Sequence, residues 1–320
     1  MIHDLSKVSL GLWSQMHKSR VLTPEYFIWL AEELKFDLVA FMIDSSDRDP
    51  KFLFSERDAE RTQELAYPRA TDVVFTTWPY PDKDQIDAQC AQMDALLKAA
   101  PRTAAWETDE EFNWDEDMVR GFSPVKVTKK PQYVGDVPIL PSRLVPIGGT
   151  KSPFDVAGDY FVFKKCEICN RHGVRNEMTT LPYHQENGPK ADTIEGADTT
   201  IVQAYACDER DGKEIPFEHR LGPGNMQRLT LDRTKIIPAV MRGETKLGVG
   251  HAAWKQRFNR RNPKTGEIES VPPKESMQLS LDTAMGYPVV DHRWWADKFA
   301  YPKSARYLQY AETFLTSLRQ

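Results

Sequence analysis

The sequence predicts an α/β fold, a closed (β/α)8 barrel of the TIM type with a long insertion after its fourth strand. Strand-like and helix-like segments alternate along the chain, and the strand-like ones number eight, the count at which a parallel sheet closes on itself. The 320 residues suit one catalytic-sized barrel of about 250 residues plus an insertion, a single domain over 1–320. An open doubly wound sheet is the competing architecture. It should carry a Gly-rich phosphate loop after its first strand, and "LGLWSQMHKSR" contains none.

"KVSLGLW" (7–13) is the first strand, and Thr23-Pro24 opens the helix "PEYFIWLAEEL" with a cap and a first-turn proline. "FDLVAFMID" (36–44) reads as a buried strand followed by "SERDAERTQELAY", where Ser55 can cap an acidic first turn. "TDVVFTTW" (71–78) leads through a proline turn into "KDQIDAQCAQMDALLKAA", whose apolar residues recur at helical spacing. "RTAAWETDEE" (102–111) is the fourth strand with its exit. Residues 122–153 are rich in Pro, Gly and Lys and too irregular for a helix; they read as an insertion, with a domain linker as the alternative. "FDVAGDYFVFKKCEICNRHG" is then a helix ended by Gly173, and "VRNEMTTLPY" the fifth strand. "DTTIVQAYA" (198–206), "KLGVGHAAW" (246–254) and "VVDHRWW" (289–295) complete the eight. Helices are expected over "NMQRLTLDRTKII", "SMQLSLDTAMG" and "SARYLQYAETFLTSL".

Composition narrows the function classes. A net charge of -5 and a pI near 5.9 argue against a general nucleic-acid binder, and "KQRFNRRNPK" reads as a charged loop. Apolar runs fall short of the ~18–20 residues of a membrane span, so no membrane insertion is expected. "MIHDLSKVSLGLW" lacks the basic and apolar regions of a standard secretory signal, so action at a cell wall would need another route out of the cytoplasm. "CEIC" has the spacing of half a zinc site but lies inside a helical pattern without a second ligand pair; the four cysteines read as structural thiols, and neither metal nor cofactor is expected.

Active sites of such barrels lie at the carboxyl ends of the strands. Those ends deliver Trp13 and Ser14; Asp44; Trp78 and Tyr80; Glu107, Asp109 and Glu111; Glu177, Thr180 and Tyr183; Gln203 and Tyr205; His251 and Trp254; Trp294 and Trp295. Aromatic faces bury the apolar faces of sugar rings, while carboxylates and amides bind hydroxyls. Trp13, Asp44, Trp78, Glu177, Gln203, Trp254, Trp294 and Trp295 are therefore candidate sugar-binding residues. Each has a plainer alternative: tryptophans seal barrels against their helices, Glu177 reads equally as a salt-bridged structural acid, and Asp44 equally as a turn cap. His251 reads as a core or rim residue.

"WETDEEFNW" concentrates the acids. Alternation along a strand places Glu107, Asp109 and Glu111 on one face, whereas Glu110, Asp115, Glu116 and Asp117 read as solvated loop charges. Three crowded carboxylates facing a barrel mouth would raise at least one pKa. A protonated acid beside an ionised one is what glycosidic cleavage requires, with Glu111 best placed to reach substrate and Asp109 below it.

Asp109-x-Glu111 at the end of the fourth strand resembles the Asp-x-Glu signature of family-25 lysozymes and of the longer family-18 chitinase motif, both (β/α)8 barrels that cut N-acetylated glycans. Over nearly the whole chain, "LGLWSQMH", "ETDEEFNW", "HGVRNEMTT", "VQAY" and "RLGPGNMQRLTLDR" resemble phage and bacterial peptidoglycan hydrolases and peptidoglycan-binding proteins. The family-18 resemblance implies Glu111 as general acid and Asp109 as the group orienting the substrate acetamido. It also implies Tyr205 as a hydrogen-bond partner of that acetamido and Trp294 or Trp295 as the floor of a subsite. The first strand lacks the acid that family-25 lysozymes carry there, and the strand-four motif is not the full family-18 sequence. The expected function is hydrolysis of peptidoglycan glycan strands, in the manner of a muramidase-like endolysin. A non-catalytic wall-binding barrel is the alternative, and a metal-dependent hydrolase using His251, Asp44 and Glu177 a third, weakened by the absence of an H-x-H pair on any strand.

Overall fold

A computed structural model describes residues 8–14, 23–44, 54–109, 118–141, 145–180, 196–203, 209–210, 213–214, 236–251, 259–261, 264–270 and 286–295. Eight parallel strands close into a barrel: β1 (Ser9–Ser14), β2 (Leu38–Met42), β3 (Asp72–Thr77), β4 (Ala105–Asp109), β5 (Arg175–Thr180), β6 (Thr199–Gln203), β7 (Lys246–His251) and β8 (Val289–Trp295). They neighbour one another in chain order, and β8 closes on β1 with Ser9 opposite Asp291 and Trp13 opposite Trp295.

The helices start where their caps place them. α1 (Pro24–Leu34) begins at Thr23, whose hydroxyl accepts from the Tyr26 amide, and ends where Lys35 turns left-handed at φ 59°. α2 (Glu56–Ala66) starts in a capping box, Ser55 and Asp58 each satisfying the other's backbone N–H. α3 (Lys83–Ala99) is capped by Asp82. α4 (Pro153–His172) repeats the box with Ser152 and Asp155 and stops at Gly173, φ 67°, a conformation that favours glycine. A short α5 (Ile236–Met241) precedes β7; most of the helix expected over 225–237, and those over 276–286 and 304–318, lie outside the described residues.

The stretch expected to be irregular after β4 contains two small antiparallel ladders, Val125–Lys126 with Thr150–Lys151 and Gln132–Val134 with Val137–Ile139. Short alternating pairs around Gly135, φ 64°, are too brief to register as strands in the sequence. They pack on α4: Val137 and Ile139 are buried, Phe122 meets Tyr160 edge-on at 5.4 Å, and Lys164 pairs with Asp136 at 3.0 Å.

The apolar core lies between sheet and helices. Outward-facing Leu12, Val39, Phe41, Phe75 and Trp106 meet Phe27, Leu30, Ile86, Met93 and Phe161, and Trp106 crosses Phe161 edge-on at 6.1 Å. Trp106 adds a hydrogen bond from its indole N–H to Thr77 at 2.8 Å. Cys169 and Cys90 are buried free thiols and Cys166 a partly exposed one, and both cysteines of "CEIC" lie inside α4. No helix among the described residues is long and apolar enough to cross a membrane.

Inside the barrel the pattern differs. Gly11 sits opposite Leu38 on one side and Arg293 on the other, and a Cβ there would lie 2.5 Å from Leu38 Cδ1 and 3.1 Å from Arg293 Cγ. Gly11→Ala is therefore expected to destabilise the fold by about 1–3 kcal/mol, read as a lower urea midpoint at unchanged slope.

Candidate active site

Glu107, the middle residue of β4, faces the barrel interior and is 1% exposed. Its carboxylate accepts from the Trp13 indole of β1 at 2.9 Å to each oxygen, from Thr76 of β3 at 3.1 Å, from Thr179 of β5, and from Arg293 Nη1 of β8 at 2.6 Å. Arg293, fully buried, also donates to Glu177 Oε2 at 2.6 Å and to Asp291 Oδ2 through Nε at 2.9 Å and Nη2 at 2.5 Å. Glu177 takes a further bond from Arg175 at 3.0 Å. One guanidinium thus holds three carboxylates from β4, β5 and β8.

The charge states follow from this geometry. Burial alone would raise Glu177, but Arg293 and Arg175 together hold its carboxyl below the ordinary value. Asp291 is pushed up to about 6, because burial and the neighbouring Glu177 and Glu107 outweigh Arg293. Burial works against the charge of Arg293, yet the three carboxylates raise it well above its usual value. Lys165 reaches in from α4 to donate to the Glu177 carbonyl at 2.5 Å, and burial drives its ammonium down to about 8.

This arrangement corrects three expectations. Glu107, expected as one of the reacting acids, is buried and has both carboxylate oxygens held by donors from four other strands, so it ties those strands together. Trp13, expected under a sugar ring, is 2% exposed with its indole N–H spent on Glu107. Glu177 is the salt-bridged structural acid rather than a sugar ligand. The expected crowding of like charges is relieved at Glu107 by an arginine from β8, which the sequence reading passed over in favour of its neighbours Trp294 and Trp295. The signal was present: Asp291 and Arg293, two residues apart, share one face of the strand.

Nearer the carboxyl ends lies a second cluster. Asp44, just past β2, is wholly buried and accepts from the Trp78 amide at 2.8 Å and from Gln89 Nε2 of α3 at 3.3 Å. Gln89 Nε2 also donates to the Trp78 carbonyl at 2.5 Å, and the Trp78 indole N–H points to Met42 Sδ. Asp44 therefore holds Trp78 and does not face solvent, contrary to a direct sugar contact. Burial, with no ionised partner among the described residues, pushes its carboxyl from 3.8 up to about 8. Trp78 itself is half-buried, while Tyr80 is buried and Ser14 bonds back to the Ala40 carbonyl. Gln89 was missed as one polar residue on the apolar face of α3.

Asp109 is the last residue of β4, opposite Thr179; Thr180, Gln203 and His251 end β5, β6 and β7, and Trp294 and Trp295 end β8, opposite Leu12 and Trp13. The side chains of these last residues are not described, and Glu111, Tyr183, Tyr205 and Trp254 lie outside the described residues. Among the described residues no group of three or more His, Cys, Asp or Glu is placed to hold a metal. Glu177, named in the metal-dependent reading, is paired with two arginines.

No known protein family matches the chain, and no curated protein does. Solved structures do match. The Bacillus megaterium QM B1551 spore cortex-lytic enzyme SleL aligns over 95% of this chain and 74% of its own at 8% identity, TM-score 0.53. A GH113 β-1,4-mannanase aligns over 97% and 98% at 11% identity, TM-score 0.52. The xylanase-α-amylase inhibitor protein XAIP-I, in complex with trehalose, aligns over 97% and 98% at 8% identity, TM-score 0.51. The likeness is one of fold. It agrees with the closed eight-stranded barrel, and the same fold carries both enzymes and an inhibitor protein.

Two outcomes test the interior. Arg293→Met should cost about 3–5 kcal/mol in urea unfolding, since it leaves buried carboxylates uncompensated. Asp44 binds its proton more tightly folded than unfolded, so its contribution is full below about pH 4 and falls by about 1.4 kcal/mol per unit up to about pH 8. Unfolding measured across that range should show Asp44→Asn with a flatter pH dependence than the wild type.

Proposed function

We propose that the chain is a glycoside hydrolase cleaving the N-acetylated glycan strands of bacterial peptidoglycan. The observation that carries this reading is the placement of β4: its interior face is fixed at Glu107 by donors from four other strands, and the strand ends at Asp109, on the side where barrels of this kind do their chemistry, two residues before Glu111 in the sequence. Trp78 leaves β3 one register position past the Thr77–Thr108 pair, beside position 109, so an aromatic and an acid flank one another at neighbouring strand exits.

In this reading Glu111 donates a proton to the glycosidic oxygen as the bond to the anomeric carbon breaks. Asp109 orients the acetamido group, whose oxygen attacks that carbon and whose displacement by water completes hydrolysis, the substrate-assisted route. Tyr205 would bind the acetamido, and Gln203, Trp254, Trp294 and Trp295 would line subsites. Two fold neighbours, a spore cortex-lytic enzyme and a β-1,4-mannanase, support glycan cleavage. Peptidoglycan as substrate, release by a phage and action at the wall rest on the sequence resemblance.

A binding barrel without chemistry is the second reading, favoured by the inhibitor protein among the neighbours. Wild type and Glu111→Gln incubated with purified sacculi separate the two. Turbidity loss and soluble muropeptides from wild type alone, with both proteins sedimenting with the sacculi, are expected. Binding by both without release of sugar would establish the second reading.

A further inference from the structure

We propose that Asp44 and Gln89 are positioning residues that hold Trp78 as a preformed platform for a pyranose ring at the carboxyl end of the barrel; the sugar rests on the function proposed above. Every polar group of Trp78 is taken. Its N–H is held by Asp44, its C=O by Gln89 and its indole N–H by Met42. The loop that follows is tied as well: Tyr80 is buried, and Asp82 caps α3 and bridges to Arg120 of the segment after β4. A half-buried ring on a backbone clamped this way has little freedom to lose when a ligand stacks on it, which is how preorganisation favours binding.

The clamp is costly as pure packing. Asp44 Oδ1 and Gln89 Oε1 are both buried with no hydrogen-bond partner among the described residues, and each such orphan opposes folding. Apolar residues at 44 and 89 would remove those two orphans but leave the amide and carbonyl of Trp78 unpaired, so what the polar pair secures is the backbone of this one tryptophan. Two buried side chains committed to it at the carboxyl end of a barrel strand point to a site that needs Trp78 fixed. Neither residue reaches solvent, so both act through the tryptophan.

The test measures affinity for N-acetylglucosamine tetramer by calorimetry and muropeptide release from sacculi. It compares wild type with Trp78→Ala, Asp44→Ala, Asp44→Asn, Gln89→Leu and the Asp44→Ala/Trp78→Ala double variant, each first checked for folding by circular dichroism. Trp78→Ala is expected to weaken binding about tenfold, chiefly through KM rather than kcat. Asp44→Ala and Gln89→Leu should follow it, and the double variant should be no worse than Trp78→Ala alone. Asp44→Asn keeps an oxygen that accepts from the Trp78 amide and from Gln89 Nε2, so it is expected to bind like the wild type. If Asp44→Ala does not fold, Gln89→Leu carries the test.

Unchanged affinity in Trp78→Ala, or additive losses in the double variant, overturns the platform while leaving the hydrolase standing if wild type still releases muropeptides. Tetramer binding that depends on Trp78 in a wild type that releases nothing leaves the platform in place and removes the hydrolase. Failure of wild type to bind the tetramer or sacculi at all overturns both.

Discussion

The barrel depends on one buried guanidinium. Arg293 reaches from the last strand across the interior and holds Glu107, Glu177 and Asp291 at 2.5–2.6 Å. Interiors of this fold are commonly filled by branched apolar side chains in layers. Here a layer is polar, and apolar cohesion is carried by the shell between sheet and helices. Charges taken out of water must be matched in number and geometry. The threonines of β3 and β5, the indole of Trp13 and Lys165 complete that matching, and Gly11 and Gly248 leave the space in which it fits.

Depth along the strands divides the work. Acids in the middle of β4, β5 and β8 neutralise the arginine and fix the sheet. The reaction proposed above is assigned to the acids at and beyond the end of β4. Between the two levels, Asp44 and Gln89 act on the backbone of Trp78, so the rim is braced by side chains that never face solvent. A polar interior is thus a foundation for the mouth and is distinct from it.

The fold was legible because its signals are local. Thr23, Ser55 and Gly173 mark helix ends by their own backbone chemistry, and β8 runs over the residues its β-rich pattern predicts. Side-chain roles were less legible. Strand alternation says which face Glu107 and Trp13 occupy, but not how deep they lie or who meets them, and the partner of Glu107 is 186 positions away. Glu177 carried both readings in the sequence, and only Arg293 decides between them. Asp44 was placed correctly at a strand end, yet its role is set by Gln89, a polar residue hidden in the apolar pattern of α3.

The long reach of that arginine bears on how the chain assembles. Glu107 and Glu177 stand 186 and 116 positions ahead of the group that neutralises them. While the chain emerges from the ribosome, β1 to β7 can gather their outer apolar shell, but their inner face keeps two carboxylates that must remain hydrated. Arg293 can meet both acids only when β8 is in place, so closure of the sheet and the pairing of these carboxylates with the guanidinium coincide.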